Sequence, residues 1–490
     1  MRNISLHKIK RMLAGLVLLL CVTALNAQED YISKQKEEYE RFKNAYQQNY
    51  DEFLRQANED YARFMREQWK SFDAFNEEQQ PLIPEPSKPY ESGNNISEKE
   101  LLKPLPAKPI PMPEAQPVEI TNRPDEQIPE SDSSAFHFTS YGTEFSVRAA
   151  NELRFKLPDI NENSVANAWT ILSSPETLLL VYDCLNIKAQ YSLGDWAYCC
   201  LLRDFSKQFF AGDNNEAVLM QLYLLIQSGY KVRIGKYDDN LYILCPFDGV
   251  VYGWSGIKIN KKTYYIINST GIKQIYVFNK AFSNNERVMS LRMPCVPQYA
   301  YQPTESKTFT SKHYPELSVD IAVNQNLIDF YNDYPHGLLP NYYWAGLSED
   351  VKDKLYPVIQ DNIAGKTQIE AANHIMNFLQ TAFEYKTDYE QFGYERALFG
   401  DEMFFYTYSD CEDRAILFAI LIHDILDLDV VLLQYSSHVA PAVNYTEDLN
   451  GSYYLYKGKK YYISDPTYIN ANVGECIPKY QQEKPKLYKL

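Results

Sequence analysis

The stretch Tyr-Ser-Asp-Cys-Glu-Asp-Arg at residues 408–414 runs directly into an apolar segment, residues 415–422. Acidic residues followed by an apolar run indicate the N-terminus of a buried helix. Cys411 then lies at the positive end of the helix dipole, where a thiol is more acidic than it is in water. A lone cysteine before an apolar helix is more often a core residue, so the prediction of a reactive thiol depends on the partners of Cys411.

Two partners follow Cys411 at equal spacing, because His438 and Asp465 each come 27 residues after the preceding member. Each lies next to a predicted strand. A thiol, an imidazole and a carboxylate are the parts of an activated cysteine nucleophile, its general base and the group that orients the base. His423 is twelve residues along the predicted helix from Cys411, about 18 Å at the helical rise, and is excluded as the base.

Residues 345–470 resemble the transglutaminase-like superfamily, whose papain-like core carries Cys, His and Asp in this order. The matching segments are Asp410-Cys411-Glu412-Asp413-Arg414-Ala415, Tyr435-Ser436-Ser437-His438 and Tyr462-Ile463-Ser464-Asp465-Pro466-Thr467. The resemblance implies an α+β fold, with Cys411 as nucleophile, His438 as base and Asp465 as orienting carboxylate. The sequence departs from the family pattern at Ser409, where a glycine is common, and two residues after His438, where an aromatic residue is common.

The resemblance implies an exported, bacterial-type, cysteine-dependent enzyme that transfers acyl groups from amide bonds. Hydrolysis is favoured, which makes the chain a peptidase or amidase acting on a protein or peptide. Two alternatives stay open: a transglutaminase that crosslinks proteins, and a non-catalytic binding or assembly protein on the same scaffold. The oxyanion donors are expected to include the Cys411 backbone N–H, with Tyr385 or Gln391 as weak candidates for the second.

No cofactor or metal is expected. The sequence contains neither a CxxC nor an HxxxH pattern, and its seven histidines are scattered along the chain. A structural zinc site therefore has no ligand set of ordinary spacing. The net charge of −16 and the isoelectric point near 5.0 argue against a nucleic-acid-binding surface.

From about residue 135 the sequence predicts two globular halves, each with helices first and strands after. This order favours an α+β fold over alternating strands and helices. We expect a degenerate domain at 133–300 and a catalytic domain at 301–490. Aligning the halves places Asn215, Asn240 and Asn268 where the second half has Cys411, His438 and Asp465. Amides at all three positions supply no nucleophile, base or orienting carboxylate. Chance similarity of two helix-then-strand units is the alternative.

The N-terminus has the pattern of a signal peptide over residues 1–27. A basic segment precedes an apolar one, and Ala27 ends a plausible cleavage site. The chain is therefore expected to be exported, periplasmic or secreted, with no transmembrane segment in the mature form. Cys21 lacks the small residue that precedes a lipoprotein cysteine, which disfavours lipidation. The seven other cysteines are an odd number, and their pairing stays open.

Residues 28–80 are charged and carry aromatic side chains every eleven residues, as at Tyr39, Tyr50 and Tyr61. Steps of three, four and four keep such residues on one face of a straight helix. The face either packs on this chain or docks a partner through residues 29–80. Residues 81–132 are rich in proline and are expected to form an extended spacer without a core.

Overall fold

The computed structural model describes residues 55–67, 69–77, 86–92, 104–110 and 135–490. The chain divides into two compact units, residues 1–64 and residues 65–490. The expected signal peptide lies outside the described residues. Among the helices that the structure does describe, none combines the length and the apolar character needed to cross a bilayer.

The helix expected over residues 28–80 is wrong at its C-terminal end. Residues 55–65 are helical (α1), but the chain then forms strands β1 (Lys70–Asp73) and β2 (Phe75–Asn76). The aromatic period fails here because the backbone pairs with the edges of a sheet, and Phe72 packs against the core of that sheet. Residues 28–54 and 78–80 of the expected helix lie outside the described part.

The first half contains four helices followed by five strands. The helices are α2 (Glu162–Leu172), α3 (Pro175–Gln190), α4 (Asp195–Phe209) and α5 (Asn215–Gln227). The strands are β7 (Arg233–Tyr237), β8 (Asn240–Cys245), β9 (Ser255–Ile259), β10 (Lys262–Ile266) and β11 (Gln274–Phe278). A hairpin of β5 (Ala135–Ser140) and β6 (Thr143–Arg148) precedes them, with a 3-10 turn at Asn151–Leu153.

The second half repeats this order of helices before strands. Its helices are α6 (Gln325–Asn332), α7 (Pro340–Trp344), α8 (Glu349–Ile363), α9 (Gln368–Ala382), α10 (Asp388–Gln391), α11 (Glu402–Phe405) and α12 (Cys411–Leu426). Its strands are β16 (Val430–Gln434), β17 (Val439–Val443), β18 (Tyr453–Tyr456), β19 (Lys459–Ile463) and β20 (Lys486–Lys489). Two short pairs precede them, β12 (Lys307–Thr310) with β13 (Ser318–Ile321) and β14 (Glu384–Tyr385) with β15 (Tyr408–Ser409). The expected α+β class is confirmed.

Each half folds its strands into one seven-stranded, barrel-like sheet. The first barrel has the order β1-β11-β7-β8-β10-β9-β2. Only Ala74 separates β1 from β2, yet these strands pair with β11 and β9 at opposite edges. One short segment therefore covers both edges of the sheet formed by β7 to β11.

Part of the proline-rich segment covers the two edges of the second barrel, here by parallel instead of antiparallel pairing. Strands β3 (Pro104–Leu105) and β4 (Lys108–Pro109) lie at the two ends of the order β3-β18-β19-β17-β16-β20-β4. Leu105 is 8% exposed and belongs to the barrel core, and Ala107 packs against it. The expectation of a spacer without a core is therefore wrong for these residues. Proline is tolerated because β3 and β4 are short edge strands.

The central helices of the halves, α5 and α12, are buried around nearly their whole circumference because both lie in the interior. All residues from Cys411 to Ile422 are buried, as are nearly all from Ala217 to Gln227. Helix α5 packs on β7 and β8, and helix α12 packs on β16 and β17. Each helix thus presents its N-terminus to the strands that follow it.

Replacing Leu105 with alanine tests the structural role of the proline-rich segment. We expect Leu105→Ala to lower the free energy of unfolding by about 2–4 kcal/mol, because it removes a buried side chain from a closed barrel. Leu455→Ala, on the paired strand β18 but 52% exposed, is the control and should cost less than about 1 kcal/mol. Urea unfolding of the full chain measures both, and equal losses would contradict the role of the segment in the core.

Candidate active site

Cys411 is the first residue of α12, and its side chain has no exposed surface. Asp410 is the N-cap residue, and the Asp413 carboxylate accepts a hydrogen bond from the Asp410 backbone N–H at 3.3 Å. This capping arrangement fixes the start of the helix at the cysteine. The thiol therefore lies at the positive end of the helix dipole, as the sequence predicted.

His438 and Asp465 form a buried pair. Nε2 of His438 lies 2.7 Å from Oδ2 of Asp465, and both residues are 2% exposed. His438 precedes β17 and Asp465 follows β19, and these two strands are paired antiparallel. The sheet thus brings the two residues to the same end. An imidazole nitrogen bound to a buried carboxylate is the arrangement of an oriented base.

The thiol meets the strand that begins directly after His438. The backbone N–H of Val439 donates to Cys411 Sγ at 3.1 Å, and the thiol contacts Glu412 Oε2 at 3.2 Å. A backbone donor at 3.1 Å favours negative charge on sulfur, whereas the neighbouring carboxylate favours the protonated thiol. The structure therefore brings the three predicted residues into one buried site, with opposing electrostatic influences on the sulfur.

Residues that the sequence reasoning missed hold the His–Asp pair in place. The Tyr480 ring stacks on the His438 imidazole, with centroids 5.2 Å apart and an interplanar angle of 13°. Thr467 N donates to Asp465 Oδ1 at 2.9 Å. Gln380 on α9 donates to the carbonyls of Tyr468 at 2.8 Å and Ala471 at 3.1 Å. These contacts fix the loop that carries Asp465.

Arg414 is a fully buried cation one helical turn after Cys411. Its guanidinium donates to Ser409 Oγ at 3.1 Å and to the Phe383 carbonyl at 3.0 Å, and it lies 5.6 Å from the Tyr385 ring centroid. Burial lowers the pKa of Arg414 to about 10, so it stays charged at neutral pH. Its positive charge offsets the acidic groups around the start of α12.

Three buried carboxyl groups lie beside the cysteine, with oxygens of Asp388, Asp410 and Glu412 within 4.8 Å of one another. Asp388 N donates to Asp410 Oδ2 at 3.0 Å, and Asp388 Oδ2 accepts from Arg396 N at 2.6 Å. Burial, reinforced by Glu412, raises the pKa of Asp388 far above its usual range. Such a group is held neutral by a proton, and the same oxygen set also suits a hard divalent cation.

The remaining residues considered from the sequence lie on other elements or at the far end of α12. Tyr385 lies in β14, which pairs in parallel with β15 just before Cys411, and its ring faces Arg414. Gln391 ends the short helix α10. His423 lies near the other end of α12 and contacts Asp424 at 2.9 Å, as its exclusion from the site requires. The second oxyanion donor stays a prediction.

The three asparagines of the first half also come together, because all line one cavity. Asn215 is the first residue of α5, and its Oδ1 accepts from Leu241 N at 2.8 Å. Leu241 directly follows Asn240, as Val439 directly follows His438. Both halves therefore contain the same contact. The first side chain of the central helix accepts from the backbone N–H that follows Asn240 in one half and His438 in the other.

The strand register agrees with this correspondence. In the first half Ile266 pairs with Leu244, which is four residues after Asn240, and Asn268 comes two residues after Ile266. In the second half Ile463 pairs with Ala442, four residues after His438, and Asp465 comes two residues after Ile463. The two triplets therefore occupy the same positions on strands of the same order.

Comparisons with models of known protein families, with curated proteins and with solved structures gave no match to this chain.

Replacing Asp388 tests whether it is neutral in the folded protein. A protonated aspartate and an asparagine have the same shape, and both accept from Arg396 N. We expect Asp388→Asn to change the free energy of unfolding at pH 7 by less than about 1 kcal/mol in the presence of a chelator. Asp388→Ala removes the acceptor and should cost about 1–3 kcal/mol. A loss of stability in the asparagine variant as large as in the alanine variant would contradict a neutral Asp388.

Proposed function

We propose that this chain is a cysteine-dependent hydrolase of amide bonds, related in fold to the transglutaminase-like superfamily, with Cys411, His438 and Asp465 as its catalytic residues. Two contacts support the proposal most directly. His438 and Asp465 form a 2.7 Å pair, and the backbone N–H of Val439, the residue after His438, donates to Cys411 Sγ. Buried Cys, His and Asp side chains meeting in this way supply a nucleophile, a base and an orienting group.

The proposed reaction proceeds through a thioester. His438 takes the thiol proton, and the Cys411 thiolate attacks the amide carbon to form an S–C bond. The C–N bond then breaks as the imidazolium gives its proton to the leaving amine. Water, deprotonated by His438, attacks the thioester carbonyl. The C–S bond then breaks, which releases a carboxylic acid and the Cys411 thiolate, and the imidazolium returns its proton to the thiolate. Asp465 keeps the imidazole oriented and stabilises its charged form.

We further propose that the first half is a degenerate copy of the catalytic half. The equal strand orders, the equal register and the equal helix-to-strand contact all support a common origin. Asn215 is not idle, because its amide donates to the Asp239 carbonyl and accepts from Leu241 N, both at 2.8 Å. It has become a structural link between α5 and the β7–β8 hairpin, so asparagine suits a position that has lost the nucleophile.

Alkylation of Cys411 tests the activated thiol. All seven described cysteines carry free thiols, and only Cys295 is exposed; the experiment therefore uses the full chain with Cys295→Ser. With iodoacetamide at pH 6, we expect His438→Ala to slow modification of Cys411 at least 10-fold, because the imidazolium that stabilises the thiolate is lost.

The internal control is Cys184, a buried thiol whose pKa burial raises, which should stay unmodified on this timescale. Peptide mass spectrometry after quenching measures both sites. Equal rates in the two proteins, or no modification of Cys411 in either, would favour the non-catalytic scaffold.

The acyl acceptor is tested with a library of end-blocked peptides, incubated with and without a primary amine. For a hydrolase, we expect new carboxyl groups in both mixtures and their loss in Cys411→Ala. Asn284→Ala, at an exposed asparagine of the first half, should leave the rate on these short peptides within about 2-fold. Predominant amine adducts would instead favour a crosslinking transglutaminase.

A further inference from the structure

The first half contains a cavity of about 650 Å³ at the position that corresponds to the catalytic site. Asn215, Asn240 and Asn268 line it, and the buried side chains of Trp196 and Leu241 contribute apolar wall. Its volume lies in the range of small-ligand and short-peptide sites. A cavity that is kept at this position, although the catalytic residues are absent, indicates a ligand-binding role.

The charges that line the cavity are balanced. Arg203 pairs with Asp204 at 2.9 Å and with Asp333 at 2.5 Å. Lys207 pairs with Asp213 at 2.8 Å. Glu216 also lines the cavity, and its carboxylate accepts a hydrogen bond from the Leu157 backbone N–H at 2.8 Å. Two cations and two anions line the site, which disfavours a strongly charged ligand and favours a neutral one.

Two amides of the cavity lining have no hydrogen-bond partner among the described residues. They belong to Asn240 and Asn268, which are both exposed. Each amide presents one carbonyl acceptor and two N–H donors. A peptide group presents the complementary donor and acceptor, and the apolar wall accommodates uncharged side chains. An extended polypeptide satisfies both requirements at once.

The cavity carries no cysteine chemistry of its own. Cys199 and Cys200 also line it but are buried, and burial raises the pKa of both thiols. No imidazole lines the cavity to act as a base. A bound peptide would therefore be held and not cleaved.

We propose that this cavity binds a segment of uncharged polypeptide, so that the first half recognises the chain that the second half cleaves. The ligand class rests on the cavity alone, whereas its role in substrate recognition rests on the proposed function. The amides that replaced the triad would then serve in recognition, and the duplicated fold would hold two stretches of one substrate.

The test is peptide binding by the full chain carrying Cys411→Ser, which cannot form a thioester. Equilibrium dialysis against a pool of end-blocked, uncharged hexapeptides, with mass spectrometry of the retained fraction, measures binding. We expect Asn240→Leu to weaken retention at least 10-fold and Asn240→Gln, which keeps the amide, to stay within about 3-fold. Asn284→Ala, at an exposed asparagine elsewhere in the first half, should retain the peptides like the parent.

Unchanged retention in Asn240→Leu, an equal loss in Asn284→Ala, or no retention of uncharged peptides would each overturn the proposal. Circular dichroism and the melting temperature of Asn240→Leu show that a loss of binding is not a loss of fold. Because binding is measured without turnover, the two proposals fail separately. Binding without any amide cleavage by the unmodified chain removes the hydrolase, and cleavage without binding removes the recognition site.

Discussion

The contact between Val439 N–H and Cys411 Sγ, 3.1 Å long, is the interaction on which the site depends. It joins the N-terminus of a buried helix to the first residue of a strand, and so fixes the thiol against the residue that follows His438. Strand β17, which begins at Val439, pairs with β19, and Asp465 follows the end of β19. One contact and one strand pair thus set the relative positions of all three residues, although the chain separates them by 27 residues each.

Burial strengthens the interactions within this site and raises the free-energy cost of unpaired charges. The His438–Asp465 pair is almost inaccessible to water, which strengthens its interaction and fixes the imidazole tautomer. The same burial makes nearby carboxyl groups costly as anions, and Asp388 therefore has a strongly raised pKa. Arg414 supplies the compensating charge and remains a cation despite a lowered pKa. The start of α12 is accordingly a balanced cluster of charges and not an isolated thiol.

The sequence predicted what depends on local pattern and order. The helix after Cys411, the strands beside His438 and Asp465, and the correspondence of the asparagines could all be inferred from apolar periodicity and spacing. It failed for residues 70–76 and 104–109, since closure of a barrel is a long-range pairing that leaves no periodic signal in a short segment. It also missed Asp388 and Tyr480, which approach the site only through folding; the acidic residues around Cys411 were the one available signal.

The proposed mechanism requires Cys411 to accept the acyl group during amide cleavage. Acid quenching of a reaction within its first turnover, followed by peptide mass spectrometry, measures this most directly. We expect a thioester adduct on the peptide that contains Cys411, absent from Cys411→Ala and more abundant when deacylation is slowed. Amide cleavage that proceeds in Cys411→Ala, or an adduct on another residue, would contradict it.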